Sequence, residues 1–182
     1  MRCELVNTDF ILPKSKTLVE RGSGLHLSQI ISSLANESGL DGFGEHSGGP
    51  TLRMEVGFLW EDLLTLVLKE RLPQRMGEIV RDGVIMSPDG VGWGDAWELA
   101  EYKATWKSSK NSPTDNWRWM TQIRSYLAAV EADICNLFVL YVMGDYRDSG
   151  PQAFHYRISF TQRELEENWA MITRHARNKG WL

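Results

Sequence analysis

One stretch constrains the fold of this chain more than any other: residues 137–142 read Leu-Phe-Val-Leu-Tyr-Val, without a polar break. A strand with one face in water alternates polar and apolar residues, so an unbroken apolar run is typical of a strand that is covered on both faces. We therefore predict a strand from Cys135 to Met143 at the centre of a sheet. The composition agrees, because 42% hydrophobic and 24% charged residues exclude a disordered or fibrous chain.

Further segments have the composition of strands or the spacing of helices. Strands are predicted at Glu78 to Met86, Trp97 to Ala104 and Phe154 to Phe160. Helices are predicted between Ser28, the possible N-cap, and Gly39, from about Arg53 to Arg71, at Trp119 to Val130, and after the capping box Thr161 to Glu164. The second helix has so wide an apolar surface that we expect most of its faces to be covered, and Pro73 ends it.

The order of these elements predicts an α/β sandwich around one mixed sheet, with the third helix as a crossover between neighbouring strands. A length of 182 residues favours a single domain. Residues 1–50 read as an N-terminal helix and loop extension, since the glycine-rich segment 38–50 suits no regular element, and residues 51–182 read as the core.

Charge and cysteine content limit the partners and the compartment. The net charge of −4 means that the surface as a whole does not attract phosphate or anionic lipid, so any anionic partner needs local cations. Two distant cysteines make neither a disulfide framework nor a zinc site. No apolar run approaches the ~20 residues that span a bilayer, and residues 1–4 do not lead into a signal-peptide core. We expect a cytoplasmic protein, in the host cytoplasm if the chain is viral, with no membrane contact.

The residues with the clearest chemical pattern lie between Gly83 and Thr105. Glu101 and Lys103 point to the same face of their strand, because strand side chains alternate with a period of two. A hairpin connection through residues 90–95 would fold Asp89 back toward Glu101. Two carboxylates and an ammonium group would then surround one small volume, which suits Mg²⁺ or Mn²⁺ and the metal-dependent hydrolysis of a phosphodiester.

Two features elsewhere extend this pattern: Glu61 lies in an otherwise apolar helix, and Gln122 and Tyr126 share one helical face. With Pro88-Asp89 and Glu101-Tyr102-Lys103, the chain resembles the PD-(D/E)xK nuclease superfamily, and more narrowly its RecB-like branch, which includes lambda exonuclease and phage-type recombination nucleases. The matching residues span positions 57–126. The resemblance implies a restriction-endonuclease-like core, in which helices flank a central mixed β-sheet.

The resemblance also implies roles. The catalytic residues would be Glu61, Asp89, Glu101, Lys103 and Gln122. Asp89, Glu101 and the Tyr102 backbone carbonyl would bind Mg²⁺ or Mn²⁺, and Glu61 would hold a second ion or its water. Lys103 would position the nucleophile, and Gln122 would orient that lysine or the DNA end. No iron–sulfur cluster is expected, because that site needs four cysteines.

Several readings stay open. Alone, the Glu101/Lys103 pair could be a surface ion pair, Glu61 a solvated charge, and Tyr126 a core aromatic. Asp95 and Glu98 could compete as metal ligands. DNA contacts are expected from local cations and aromatic residues that can stack on bases, namely Arg53, Trp106, Lys107, Lys110, Arg118, Arg124 and Tyr126, with Trp117 and Trp119 interleaved. Arg21 and His26 could meet a DNA end.

The function predicted from these residues and from the resemblance is a Mg²⁺-dependent deoxyribonuclease. The resemblance favours a viral exonuclease that acts in recombination or DNA processing. Its partners would be DNA and a recombinase or single-strand annealing protein, and it could form a homo-oligomer. The alternatives are a structure-specific or restriction-type endonuclease with the same site, and a non-catalytic nucleic-acid-binding module of nuclease fold.

Overall fold

The computed structural model of the chain describes residues 22–40, 52–68, 77–93, 97–147 and 150–182. In chain order the elements are β1 (Leu25–His26), α1 (Leu27–Glu37), α2 (Leu52–Leu68), β2 (Ile79–Arg81), β3 (Val84–Met86), β4 (Gly90–Trp93), β5 (Trp97–Thr105), a 3₁₀ turn (Pro113–Asp115), α3 (Trp117–Val130), β6 (Ile134–Tyr141), β7 (Gln152–Ser159) and α4 (Gln162–Asn178). The predicted α/β class, with helices flanking a mixed sheet, is confirmed.

The main sheet has four strands in the order β4-β5-β6-β7. β5 and β6 run parallel and are joined by α3, whereas β4 and β7 pair antiparallel at the edges. Residues 137–141 of the apolar run therefore lie in an interior strand, as predicted, and the strand ends one residue before Val142. Leu137 and Val139 on β6 are fully buried, and Tyr141 at its end is almost so.

The prediction of one sheet was wrong, because the described strands form two. The segment Glu78 to Met86 is a hairpin of β2 and β3, and β1 pairs parallel with β3 in a second sheet of three strands. Asp82 and Gly83 form the hairpin turn with φ values of 49° and 80°. An Asp-Gly pair between apolar residues is a strong hairpin signal, since both positions of such a turn need positive φ.

Helices cover both faces of the main sheet. On one face α3 and α4 pack together, and Ile123 and Leu127 of α3 join Leu165 and Ile172 of α4 in the main core. Helix α1 adds Ile30 and other buried residues to the same core, so it is an integral part of it. The domain boundaries proposed from the sequence stay a prediction.

On the other face α2 packs against β5, where Leu64 contacts a small cluster that contains Ala100 and Tyr102. The expectation that most faces of α2 are covered was wrong: its outer side exposes half or more of the large apolar residues Leu59, Leu63, Leu66 and Val67. Helix α2 and strand β5 meet along one side of the helix only, so one stripe of the helix is covered. The predicted end at Pro73 lies outside the described residues.

The helix ends show where local signals were sufficient. Thr161 and Glu164 form the predicted capping box of α4, with the Thr161 N–H donating to Glu164 Oε2 at 2.8 Å. The predicted N-cap Ser28 was wrong, because α1 begins at Leu27 and His26 is its N-cap. At this end of the helix the Gln29 side chain accepts a hydrogen bond from the His26 backbone N–H at 2.9 Å. The backbone donor of the N-cap residue is therefore satisfied by a side chain three residues later. Within the described residues, no helix has the length and apolar character needed to cross a bilayer.

Candidate active site

The strand β5 carries the centre of the site. Leu99, Glu101 and Lys103 alternate with Ala100 and Tyr102, so the acid and the lysine face the α3 side of the sheet as predicted. Glu101 is only 1% exposed, which is not the solvated position of an ordinary surface ion pair. Its Oε1 accepts a short hydrogen bond from Lys103 Nζ. The alternative of a surface ion pair is therefore wrong.

Asp89 reaches β5 because β4 stops short. The antiparallel register of β4 and β5 ends at Gly90 opposite Ala100, so no residue of β4 lies opposite Tyr102, two positions farther along β5. The Asp89 side chain pairs with Tyr102 instead of a β4 residue, and its Oδ2 accepts the Tyr102 backbone N–H at 2.7 Å. The fold thus brings Asp89 next to the Glu101–Lys103 segment by replacing a backbone hydrogen bond with a side-chain one.

These groups face a cavity of about 300 Å³. The residues from the sequence prediction that line it are Glu61, Asp89, Glu101, Lys103, Gln122 and Tyr126. Gln122 donates from Nε2 to the Tyr126 hydroxyl at 2.7 Å, so both members of this helical pair meet in the same space. Six stretches of the chain contribute to the lining, within residues 26–28, 58–61, 77–78, 85–89, 101–103 and 122–126.

The electrostatics of the cavity are dominated by buried acid. Burial first, and then the negative charge of Asp89, raise the pKa of Glu101 to about 8, with a smaller contribution from Glu61. Burial alone would lower the pKa of Lys103, but the Glu101 and Asp89 carboxylates outweigh it and raise the pKa above its ordinary value. Burial also raises the pKa of the Tyr126 hydroxyl. The two carboxylates therefore favour the charged form of Lys103.

One oxygen at this site lacks a partner. Glu101 Oε2 is buried and has no hydrogen bond within the described residues. A buried carboxylate oxygen without a donor is costly, and a hard divalent cation is the ligand that would satisfy it. Within the described ranges, no three His, Cys, Asp or Glu side chains form a ready metal cluster. The acidic side chains of Glu61, Glu78 and Asp89 line the cavity together with Glu101. Carboxylate oxygens are ligands that suit Mg²⁺ or Mn²⁺.

The competing ligands do not share this geometry. Glu98 is on the opposite face of β5, where it bonds Asn136 and Arg157, so it cannot compete for the same ion. Asp95 lies outside the described residues. Glu61 is half-buried and lines the cavity, and its role stays a prediction.

The predicted DNA-contact residues are scattered. Arg124 stacks over Phe160, with Cζ 4.6 Å from the ring centre, and Arg118 donates to Ser32 at 3.3 Å. Lys110 pairs with Asp145 at 3.6 Å.

Trp106, Trp117 and Trp119 are half-buried, Lys107 is exposed, and Tyr126 lines the cavity. The Arg53 side chain and Arg21 lie outside the described residues. The DNA contacts of this set stay a prediction.

Sequence reasoning missed part of the cavity wall. Ser28, Phe58 and Glu78 line it beside His26, which the sequence singled out only loosely. Glu78 accepts the backbone N–H of Gly22 at 3.1 Å, and His26 Nε2 lies 2.9 Å from the Gly22 carbonyl oxygen. No spacing rule links these residues, because β1 and β3 pair across 58 intervening positions.

Comparison with solved structures finds exonucleases of similar fold. The alkaline exonuclease of Laribacter hongkongensis superimposes with a TM-score of 0.54 and 16% identity, over 85% of this chain and 87% of that one. Its complex with dAMP gives a TM-score of 0.52 at 17% identity, over the same shares. A phage related exonuclease from Haemophilus somnus 129PT gives 0.52 at 11% identity, over 82% of this chain and 78% of that one.

The chain has the fold of these exonucleases. No protein-family model matches it, and no curated protein sequence does. At identities of 11% to 17% the likeness concerns the fold alone, so the chemistry has to be argued from the residues of the cavity.

Proposed function

We propose that this chain is a divalent-metal-dependent DNA nuclease of the PD-(D/E)xK type, acting as an exonuclease. The observation that carries the proposal is the buried, unpartnered Oε2 of Glu101, which lies in a cavity with Asp89 and next to a lysine. The polar atoms of a buried residue with a structural role are usually hydrogen-bonded, whereas a cation site keeps a carboxylate oxygen without a hydrogen bond so that it can bind the ion. The shared exonuclease fold supports the same reading.

Asp89, Glu101 and the Tyr102 carbonyl would bind Mg²⁺ or Mn²⁺. Glu61 would bind a second ion or the water attached to it. When bound, the ion lowers the pKa of water and polarises a phosphoryl oxygen. Asp89 is oriented for this role by the Tyr102 N–H, which fixes one of its oxygens. Exclusion of bulk water from the Glu101 side chain strengthens each of these interactions.

Lys103 would orient the attacking water and stabilise charge that develops on the phosphate. Its Nζ is tethered to Glu101 Oε1 and its side chain keeps 18% exposure, so it can face the cavity while it stays charged. Gln122, which bonds Tyr126, would hold the substrate or Lys103 in position from the α3 side. Tyr126 has a raised pKa and would act as a hydroxyl donor, not as a base.

The test is degradation of linear DNA that is labelled at either end, with Mg²⁺ or Mn²⁺, and with EDTA as control. We expect metal-dependent loss of label, and Lys103→Ala should slow it about 10²- to 10³-fold. The end that is released first gives the polarity. Absence of cleavage with either metal would favour a non-catalytic binding module.

Closed circular DNA distinguishes the two enzyme hypotheses. An exonuclease leaves circular duplex and circular single strands intact, whereas an endonuclease linearises them. The role in viral recombination, with a recombinase or annealing protein as partner, and any homo-oligomer rest on the resemblance. Affinity capture with a tagged chain and light scattering would test them.

A further inference from the structure

A second cavity, of about 220 Å³, lies at the end of β5 and is not used by the proposed chemistry. Its lining begins at Thr105, the last residue of that strand. Thr105 is two positions beyond Lys103, so it faces the same side of the sheet. Two residues of strand span about 7 Å, which is about two steps of the 3.4 Å rise between nucleotides of one strand.

The walls of the second cavity combine flat aromatic surface with amide groups. Trp119 and Tyr141 form the aromatic part, and Asn111 and Asn116 contribute amides that can both donate and accept. The Tyr141 side chain is held in position by a hydrogen bond, because its hydroxyl lies 3.1 Å from the hydroxyl of Tyr156. A nucleobase presents the matching chemistry, namely a π-face and an edge of donors and acceptors.

The charge of the cavity also suits a nucleotide rather than a bare anion. Lys107 and Asp115 both line it, so its net charge is close to neutral. Lys107 is exposed, and its backbone N–H donates to Thr105 Oγ1 at 3.1 Å, which ties this residue to the end of β5. One cation can meet a phosphate while the acid accepts from an exocyclic amine.

The loop that forms the cavity is already held in place. Val142 donates its N–H to the Thr105 carbonyl oxygen, and Ser109 donates to that of Gly144, both at 2.9 Å. Ser112 and Asn116 cap the 3₁₀ turn and α3 with their own side chains. Little ordering is left to occur on binding, so little affinity is lost to it.

We propose that this second cavity is a nucleotide subsite: it takes a base of the substrate strand about two nucleotides from the scissile phosphate, stacked on Trp119, with Lys107 at the adjoining phosphate. The proposal rests on the nuclease function proposed above and names the part of the strand that the protein reads beyond the reacting group.

The first test measures binding without cleavage. Fluorescence anisotropy in EDTA compares an oligodeoxycytidylate dinucleotide, which is too short to reach both cavities, with a hexanucleotide that can reach both. Lys107→Ala should weaken hexanucleotide binding about five- to tenfold and lower the slope of log K against log[salt] by about 0.7 to 1. Dinucleotide binding should not change.

A matched control removes one positive charge elsewhere. Arg174 is exposed on α4, and α4 lines neither cavity, so Arg174→Ala should leave both affinities within about twofold of the wild type. Equal effects of Lys107→Ala and Arg174→Ala on the hexanucleotide would overturn the subsite, because they would report only on overall charge.

The second test addresses stacking. With 2-aminopurine at successive positions of the hexanucleotide, the wild type should quench fluorescence at one position, and Trp119→Phe should retain most of this binding. Trp119→Leu should weaken it about tenfold. Trp119 packs partly against the core, so Asn111→Ala, an exposed position, serves as the second variant and should also weaken binding. No quenching at any position would overturn the subsite.

The binding and cleavage readouts separate the two proposals. If the hexanucleotide binds in a Lys107-dependent way and no metal gives cleavage, the proposed hydrolysis is wrong and the subsite stands. If cleavage occurs and KM is the same for short and long substrates in the wild type and in Lys107→Ala, the subsite is wrong and the nuclease stands.

Discussion

Glu98 and Glu101 lie three residues apart on β5 and face opposite sides of the sheet, and their surroundings differ in one respect. Both oxygens of Glu98 have partners: Oε2 accepts from Asn136 at 2.6 Å, and Oε1 pairs with Arg157. In the part of the chain that the structure describes, Glu101 has a partner for Oε1 only, although it is the more deeply buried acid. The Glu98 side is a completed hydrogen-bond network, and the Glu101 side is complete only with a further ligand.

The comparison teaches that burial and charge alone do not mark a site. Asn136 is 5% exposed and lies between Glu98 and His155, whose Nε2 is 2.9 Å from Asn136 Oδ1. This cluster is also polar, yet the hydrogen bonds that join its members are internal to the protein. The distinguishing feature is an unmet acceptor next to a second carboxylate and a fixed cation.

The largest expected effect on the cleavage rate distinguishes Lys103, which pairs with Glu101, from Arg157, which pairs with Glu98. Lys103→Ala should lower the cleavage rate about 10²- to 10³-fold, because it removes the group that stabilises charge on the phosphate. Arg157→Ala, which removes the partner of Glu98, should change the rate less than about twofold. Rates on end-labelled linear DNA under single-turnover conditions check both. Equal losses in the two variants would contradict the distinction.

The next effect concerns the metal. Asp89→Asn should lower Mn²⁺ affinity at least about tenfold, since the amide keeps the hydrogen bond from the Tyr102 N–H but loses the charge. Glu98→Gln should leave that affinity unchanged. Isothermal titration calorimetry measures both. An unaltered Mn²⁺ affinity in Asp89→Asn would exclude Asp89 as a ligand.

The pH dependence of stability follows from the raised pKa of Glu101. In the unfolded chain this group ionises near 4.5, whereas burial and the Asp89 charge raise its folded pKa to about 8. Between these values the folded state holds a proton that the unfolded state has lost, so the metal-free protein loses stability as pH rises through this window. In Glu101→Gln the side chain cannot ionise, so the variant does not lose this stability as pH rises.

Thermal unfolding in EDTA should therefore show the advantage of Glu101→Gln growing from about pH 4.5 to pH 8. Added Mn²⁺ should raise the Tm of the wild type and leave that of the variant nearly unchanged. A Tm difference that stays constant across the window would mean that Glu101 titrates normally.

The smallest effect on activity belongs to the completed network. Asn136→Ala should cost about 1 to 3 kcal/mol of unfolding free energy, because it leaves Glu98 and His155 each without one partner. Cleavage should stay within about twofold of the wild-type rate. Urea unfolding and the end-label assay measure the two quantities. A large loss of activity in a stably folded variant would show that this face also takes part in the reaction.

Much of the fold could be predicted locally. The apolar run at 137–142 indicated an interior strand, and the capping box at Thr161 marked the start of α4. The sequence contains the Asp82-Gly83 turn signal, but the apolar residues on either side of it have the composition of one continuous strand. The prediction of a single strand from Glu78 to Met86 therefore missed the hairpin of β2 and β3. The pairing of β1 with β3 had no local signal, because it joins two short segments far apart in the chain.

The sequence by itself determined that Glu101 and Lys103 share a face and that Gln122 and Tyr126 share another, since the periods of strand and helix fix these relations. Only the tertiary structure decided that both pairs face one cavity, that Asp89 reaches the Tyr102 N–H, and that Glu98 is occupied elsewhere. The reason is physical: periodicity acts within one element, whereas burial and hydrogen-bond partners depend on which elements meet.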